Sequence, residues 1–121
     1  MRIIIAGSRS FLNYSFLEQE CDRIIGDYPD KITIVSGGAK GADRLGELYA
    51  EERGYNINRY PAEWDKYGKS AGYRRNEVMA QNADALFAFW DGESKGTGHM
   101  IDLANKHNLK VFVIKYGGTE L

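Results

Sequence analysis

Apolar residues gather into short blocks along this chain, and the blocks alternate with stretches of helical spacing. "RIIIAG" (2–7), "KITIVSG" (31–37), "YNINRYP" (55–61), "DALFAFW" (84–90) and "KVFVIKY" (110–116) each read as a strand. The first, second and fourth are nearly all apolar, as strands buried on both faces must be. Between them, apolar positions fall three and four residues apart. One helix is predicted from a cap at Asn13 or Ser15 to about 27, with Phe16, Leu17, Ile24 and Ile25 on its inner face. A second covers 41–53 and stops at Gly54, a third covers 71–82, and a fourth covers about 97–107. A polar and aromatic loop, "AEWDKYGKSAGY", leads into the third. The expected fold is a Rossmann-like, doubly wound α/β sandwich: a five-stranded, mainly parallel sheet with helices on both faces. It should occupy residues 1–116 as a single domain, followed by a loose tail at 117–121.

In such a sheet the ligand crevice lies at the carboxyl ends of the strands, where the winding reverses. Three unusual segments fall there: "GSRS" after the first strand, "SGGAKGAD" after the second and "DGESKGTG" after the fourth. Gly37 and Gly38 lack a Cβ, so backbone N–H groups can come close to an anion. The helix that follows adds the positive end of its dipole, and Gly41 permits its abrupt start. "SKGTG" repeats this design with a lysine and a hydroxyl. Both loops also suit a plain strand-to-helix turn, but the pair points to phosphate binding. Neither is a standard nucleotide fingerprint, since GxxxxGK[ST] is absent and "AGSRS" stands where a dehydrogenase has GxGxxG.

"YRRNEVM" (73–79) places two arginines at a helix start. Arg75 shares a face with Val78 and Met79 and so aims at the crevice, whereas Arg74 faces solvent. Trp64 and Tyr67 would either stack on a base or cover the core. Asp43 would bind a ribose hydroxyl or cap its helix, and Asp91 would act as a base or hold a sugar. The residues assigned to ligand contact are Gly7, Ser8, Arg9, Ser36, Gly37, Gly38, Ala39, Gly41, Asp43, Arg75, Asn76, Ser94, Lys95, Gly96 and Thr97. Arg75 and Asp91 are the pair that would carry any catalysis.

Composition narrows the classes. The formal net charge is −1, with 27% charged and 43% hydrophobic residues, so nothing drives the whole chain toward nucleic acid or an anionic membrane. Nucleic acid is therefore disfavoured as a partner and no membrane contact is expected. The single cysteine, Cys21, allows no internal disulfide and reads as a buried structural thiol in a cytoplasmic protein. His99 and His107 lie on one helix without a Cys or Glu at ligand spacing, so no metal site is expected, and no cofactor is required beyond a nucleotide-type ligand.

The ordered set "GSR", "SGGAKGADRLGELYA", "PAEWDKYGKSAGYRRNEVM", "DALFAFWDGESKGTGHMI" and "KVFVIK" resembles the YspA-like branch of the SLOG superfamily over nearly the whole chain. That superfamily includes the DNA-processing protein Smf/DprA and the Lonely Guy phosphoribohydrolases. The resemblance implies a Rossmann-like fold that binds nucleotides or their derivatives at these loops, as a sensor or processor of nucleotide signals. It also implies a homodimer paired through helices beside the site. Lonely Guy enzymes cleave the N-glycosidic bond of nucleoside monophosphates. Arg75 and Met79 match the spacing of their helix arginine and methionine, and Gly96 and Thr97 match the Gly-Thr of their "PGGxGTxxE" loop. Their catalytic glutamate falls at Met100 here, and Met cannot carry charge or a proton. Asp91, Glu93 and Asp102 are the nearby acids that would have to substitute. The expected function is thus binding of a nucleotide phosphate between the two loops. Phosphoribohydrolase activity is the alternative and single-stranded DNA binding a weaker one.

Overall fold

The computed structural model describes residues 1–116; the tail expected at 117–121 lies outside the described residues. The chain runs β1 (Arg2–Gly7), α1 (Tyr14–Ile25), β2 (Thr33–Ser36), α2 (Ala42–Arg53), β3 (Asn56–Arg59), α3 (Trp64–Tyr67), a 3-10 turn (Gly68–Ser70), α4 (Ala71–Gln81), β4 (Ala85–Trp90), α5 (Lys95–Lys106) and β5 (Lys110–Lys115). All five strands are parallel, in the order β3-β2-β1-β4-β5. This is the expected Rossmann-like α/β fold, and its winding reverses between β1 and β4.

Period-two alternation divides the core between the two faces of the sheet. Ile3 and Ile5 of β1, Ile34 of β2, and Phe87 and Phe89 of β4 pack with Leu17, Cys21 and Tyr49 of α1 and α2. Their neighbours Ile4, Ala6, Val35, Leu86 and Ala88 pack with Met79, Met100 and Leu103 of α4 and α5. Gly46 lets α2 lie directly on β1, since a Cβ there would stand 2.8 Å from the Ile5 Cβ. Asn13 caps α1 through its side chain, which accepts the Phe16 N–H at 3.1 Å. Gly54 ends α2 in the left-handed conformation (φ 72°).

Three local expectations change. β3 is short and largely exposed because it is an edge strand, so its alternation reports one covered face only. The loop before α4 is not open coil: α3 and the 3-10 turn wind it directly into α4. α5 begins two residues earlier than predicted, at Lys95, because Asp91 ties the preceding turn by accepting the Glu93 and Ser94 N–H groups at 2.8 and 2.9 Å. No helix among the described residues is long and apolar enough to cross a membrane.

Candidate functional site

A cavity of about 580 Å³ opens at the carboxyl ends of β1, β2 and β4, over the point where the winding reverses. That volume falls within the ordinary range of small-molecule sites. Its wall brings together Gly7, Ser8 and Arg9 after β1, Ala39 and Asp43 after β2, Arg75 and Asn76 on α4, and Asp91, Ser94, Gly96 and Thr97 after β4. Ser36, Gly37, Gly38, Gly41 and Lys95 stand outside the wall. Trp64, Lys69, Gly72 and Tyr73 complete one side, and Met79 and Met100 supply an apolar floor. Arg9, Lys69 and Arg75 face Asp43 and Asp91, so cations outnumber carboxylates.

The two glycine-rich segments do different work. In the first, Gly38 N–H donates to Ser36 Oγ at 3.0 Å and Ala39 N–H to Asp43 Oδ2 at 3.2 Å. These amides are occupied, so this loop is not the free anion cradle its glycines suggest. Ser36 is drawn away from the cavity, its hydroxyl donating to Glu47 at 2.7 Å. Gly37 is a bare surface for side chains: a Cβ there would lie 2.6 Å from Arg75 Nη1 and 2.9 Å from Asp43 Oδ2.

The second segment keeps its donors. Lys95, Gly96 and Thr97 form the first turn of α5, and such N–H groups have no acceptor within a helix. No side chain caps them, because Ser94 Oγ is hydrogen-bonded to Thr97 Oγ1 at 3.1 Å. The dipole of a twelve-residue helix favours an anion at this place. Lys95 is exposed and stands outside the wall, so Gly96 and Thr97, not the lysine, carry this segment into the cavity. Nearby, Ser8 is 4% exposed and its Oγ has no hydrogen-bond partner. A buried hydroxyl left alone is costly unless something binds it.

Arg75 and Arg74 separate as their spacing predicts. Arg74 is exposed, lies 4.4 Å over the Tyr67 ring and donates to Ser70 Oγ. Tyr67 therefore belongs to this surface stack and does not line the cavity. Arg75 enters the cavity, its Nη1 donating to the Gly37 carbonyl at 2.6 Å and its Nε to Asn76 Oδ1 at 3.1 Å. It shares a face with buried Met79, whereas Val78 is 41% exposed. Burial lowers the pKa of Arg75, and Asp43 opposes that shift. Asn76 in turn meets His99 Nδ1 at 3.3 Å, which joins α4 to α5 across the site.

The two acids also differ. Asp91 is exposed and spends one oxygen on the turn before α5. The Glu93 and Ser94 N–H groups hold its carboxyl below the usual range, with a smaller contribution from the nearby Ser8 hydroxyl, which does not reach hydrogen-bond geometry. Asp43 is 7% exposed, and burial pushes its pKa up to about 6, although the Ala39 N–H and the Arg75 charge pull the other way. The folded pKa thus lies above the ordinary 3.8, so between the two values the folded state holds a proton that the unfolded state has lost. Burying Asp43 therefore costs stability above pH 6, and the cost disappears as pH falls toward 4. Asp43→Asn keeps an acceptor for Ala39 and is expected to stabilise the protein by about 1–2 kcal/mol at neutral pH. Urea denaturation should show that gain shrinking to nothing on acidification through this window. A gain constant with pH would mean that Asp43 does not titrate there.

The model of the YspA, cpYpsA-related SLOG family matches residues 1–67, from β1 through α3. The chain belongs to this family. The "Gene 61 protein" of Mycobacterium phage D29 is 32% identical over 116 residues, spanning 91% of this chain and 93% of that protein. Among solved structures, DNA processing protein A (DprA) from Streptococcus pneumoniae superposes with a TM-score of 0.76 at 17% identity. The match covers 98% of this SLOG chain but only 52% of that one. DNA processing protein A from Helicobacter pylori, described for its single-stranded DNA binding mode, superposes with a TM-score of 0.70 at 21% identity. That match covers 99% of this chain and 67% of that one. At these identities the two structures establish a shared fold. The family match ends before Arg75, Asn76 and the α5 terminus, so those residues enter the site on geometry alone.

Trp64 and the α5 segment were visible in the sequence as loop residues after strands. Nothing in the spacing marks Lys69, Gly72 and Tyr73, because only the winding of α3 into α4 brings them to the cavity wall. Met79 and Met100 carry the ordinary signal of core positions, which hides a residue that is both core and cavity floor.

Proposed function

We propose that the cavity binds a nucleotide or nucleotide-derived ligand, with its phosphate at the first turn of α5 and Arg75 as counter-charge. The observation that carries this reading is Ser8 Oγ, buried and unpartnered in the same wall as two first-turn residues of α5, Gly96 and Thr97, whose amides have no acceptor. A phosphate supplies several acceptors at once and would satisfy both. Arg75 is already oriented by two hydrogen bonds, so little side-chain entropy is lost when a ligand arrives. Trp64, half exposed on the rim, offers a face for a base.

The test is a calorimetric titration with adenosine 5′-monophosphate and with adenosine. The phosphate should strengthen binding roughly tenfold or more, as charge-assisted hydrogen bonds do. Equal affinity for the two would refute a phosphate site. Chromatography of the same mixtures detects free adenine, whose release would turn the reading toward the phosphoribohydrolase.

Single-stranded DNA is the second reading, favoured by the fold shared with the Helicobacter pylori protein and set against the slightly acidic net charge. Phosphate-driven binding of a strand would weaken steeply with salt in a fluorescence anisotropy titration.

A further inference from the structure

Asp43 has a second carboxylate oxygen that the protein does not use. Its Oδ2 accepts the Ala39 N–H, whereas Oδ1 accepts no hydrogen bond among the described residues. Arg75 is in the same condition: Nη1 and Nε are engaged, and Nη2 has no acceptor. The two side chains both press on Gly37, yet they make no ion pair with each other. A fixed acceptor and a fixed donor therefore stand side by side in the cavity wall, one of them on a nearly buried residue.

A phosphate cannot satisfy Asp43, because it brings only acceptors and charge of the same sign. The carboxylate oxygen needs a donor from the ligand, and Nη2 needs an acceptor. Hydroxyl groups are both, and two neighbouring hydroxyls serve both partners. Position agrees with this. Asp43 follows β2, Ser8 follows β1, and α5 follows β4, which are three adjacent strands. Asp43 lines the same cavity as Gly96 and Thr97 of α5, so one ligand can meet both.

Resting on nucleotide binding at this cavity, we propose that Asp43 selects ligands by their sugar. The ribose 2′,3′-diol donates to Oδ1 and accepts from Arg75 Nη2, so the site takes ribonucleotides and refuses nucleotides without the diol. An internal nucleotide of a DNA strand has no 2′-hydroxyl and carries its 3′-oxygen as an ester. It offers Asp43 no donor.

The experiment compares adenosine 5′-monophosphate with its 2′,3′-dideoxy analogue by calorimetry, at a pH well above the Asp43 pKa. The dideoxy nucleotide should bind roughly tenfold or more weakly, the usual effect of leaving a charged buried acceptor unpaired. Equal binding overturns the inference and leaves the phosphate site standing. If neither nucleotide binds, the reading of the cavity fails and the inference falls with it.

Asp43→Asn identifies the residue responsible. Its oxygen goes to Ala39 and its NH₂ group, a donor, turns to the cavity, so the preference should shrink to within about twofold. Retention of the full preference in a folded Asp43→Asn protein would assign sugar recognition elsewhere. Acidification of the wild type provides the same test without a variant. The groups facing Asp43 are Arg75 on α4, Arg9 after β1 and Glu47 on α2. Protonating Asp43 below about pH 6 should reduce the ratio of the two affinities. The ligand phosphate titrates alike in both nucleotides and cancels from that ratio. A ratio that does not change through this range overturns the role of Asp43.

Discussion

Arg75→Ala is expected to weaken binding of adenosine 5′-monophosphate by about 100-fold and to leave the fold intact. The loss is large because the guanidinium is desolvated and already fixed by Gly37 and Asn76, so it meets an anion at full strength. Its removal also deprives Asp43 of the larger of its two favourable charge partners, which makes the wall less hospitable to a second anion. Stability should change little, since Arg75 lines a cavity and its partners Gly37 and Asn76 gain access to water once it is gone. Titration calorimetry and thermal unfolding, run on the same preparation, decide the matter. A variant that unfolds shows Arg75 to be a structural residue. One that folds and binds normally removes Arg75 from the site.

Gly41→Ala should act in the opposite way, by striking the fold. Gly41 precedes α2 with φ 81°, where an L side chain is strained. A Cβ there would also run into the Ser8 and Arg9 carbonyl groups, and backbone cannot swing aside as a side chain can. The same corner holds the Ala42 N–H donating to the Ser8 carbonyl, so β1 and α2 would be pushed apart. The expected cost is about 3 kcal/mol, or roughly 10 °C in unfolding temperature for a domain of this size. Gly38→Ala makes the control, because its φ of 75° carries the same strain and nothing lies within 4 Å of its Cβ. Equal losses in the two variants would leave strain alone as the cause, and no loss in Gly41→Ala would refute the packing of this corner.

The composition of the first glycine loop misstates its role for a physical reason. "SGGAKGAD" has the composition of an anion cradle, but composition does not say which acceptor an amide meets first. Ser36 Oγ and Asp43 Oδ2 belong to the same short segment and reach Gly38 and Ala39 before any ligand can. In "DGESKGTG" the local acceptor Asp91 takes the earlier amides of Glu93 and Ser94, and the next three stay free. Two loops with similar residues thus end in opposite states because their acceptor side chains sit at different offsets.

Much of the architecture could be read directly from the linear pattern. Near-continuous apolar blocks at β1, β2 and β4, separated by helical spacing, require a parallel sheet covered on both sides, because each block must bury both of its faces. Arg75 was legible for the same reason, as it stands one helical turn before Met79, whose side chain must point inward. These are consequences of local geometry, and local geometry repeats along a chain. The state of each polar atom is not local. Only the packed structure brings Arg75 to Gly37 across 38 positions, leaves Ser8 Oγ without a partner, and gives one oxygen of Asp43 to Ala39 while the other receives no donor. Those outcomes depend on which donors and acceptors from distant segments arrive at the same point, and no spacing within a single segment records that.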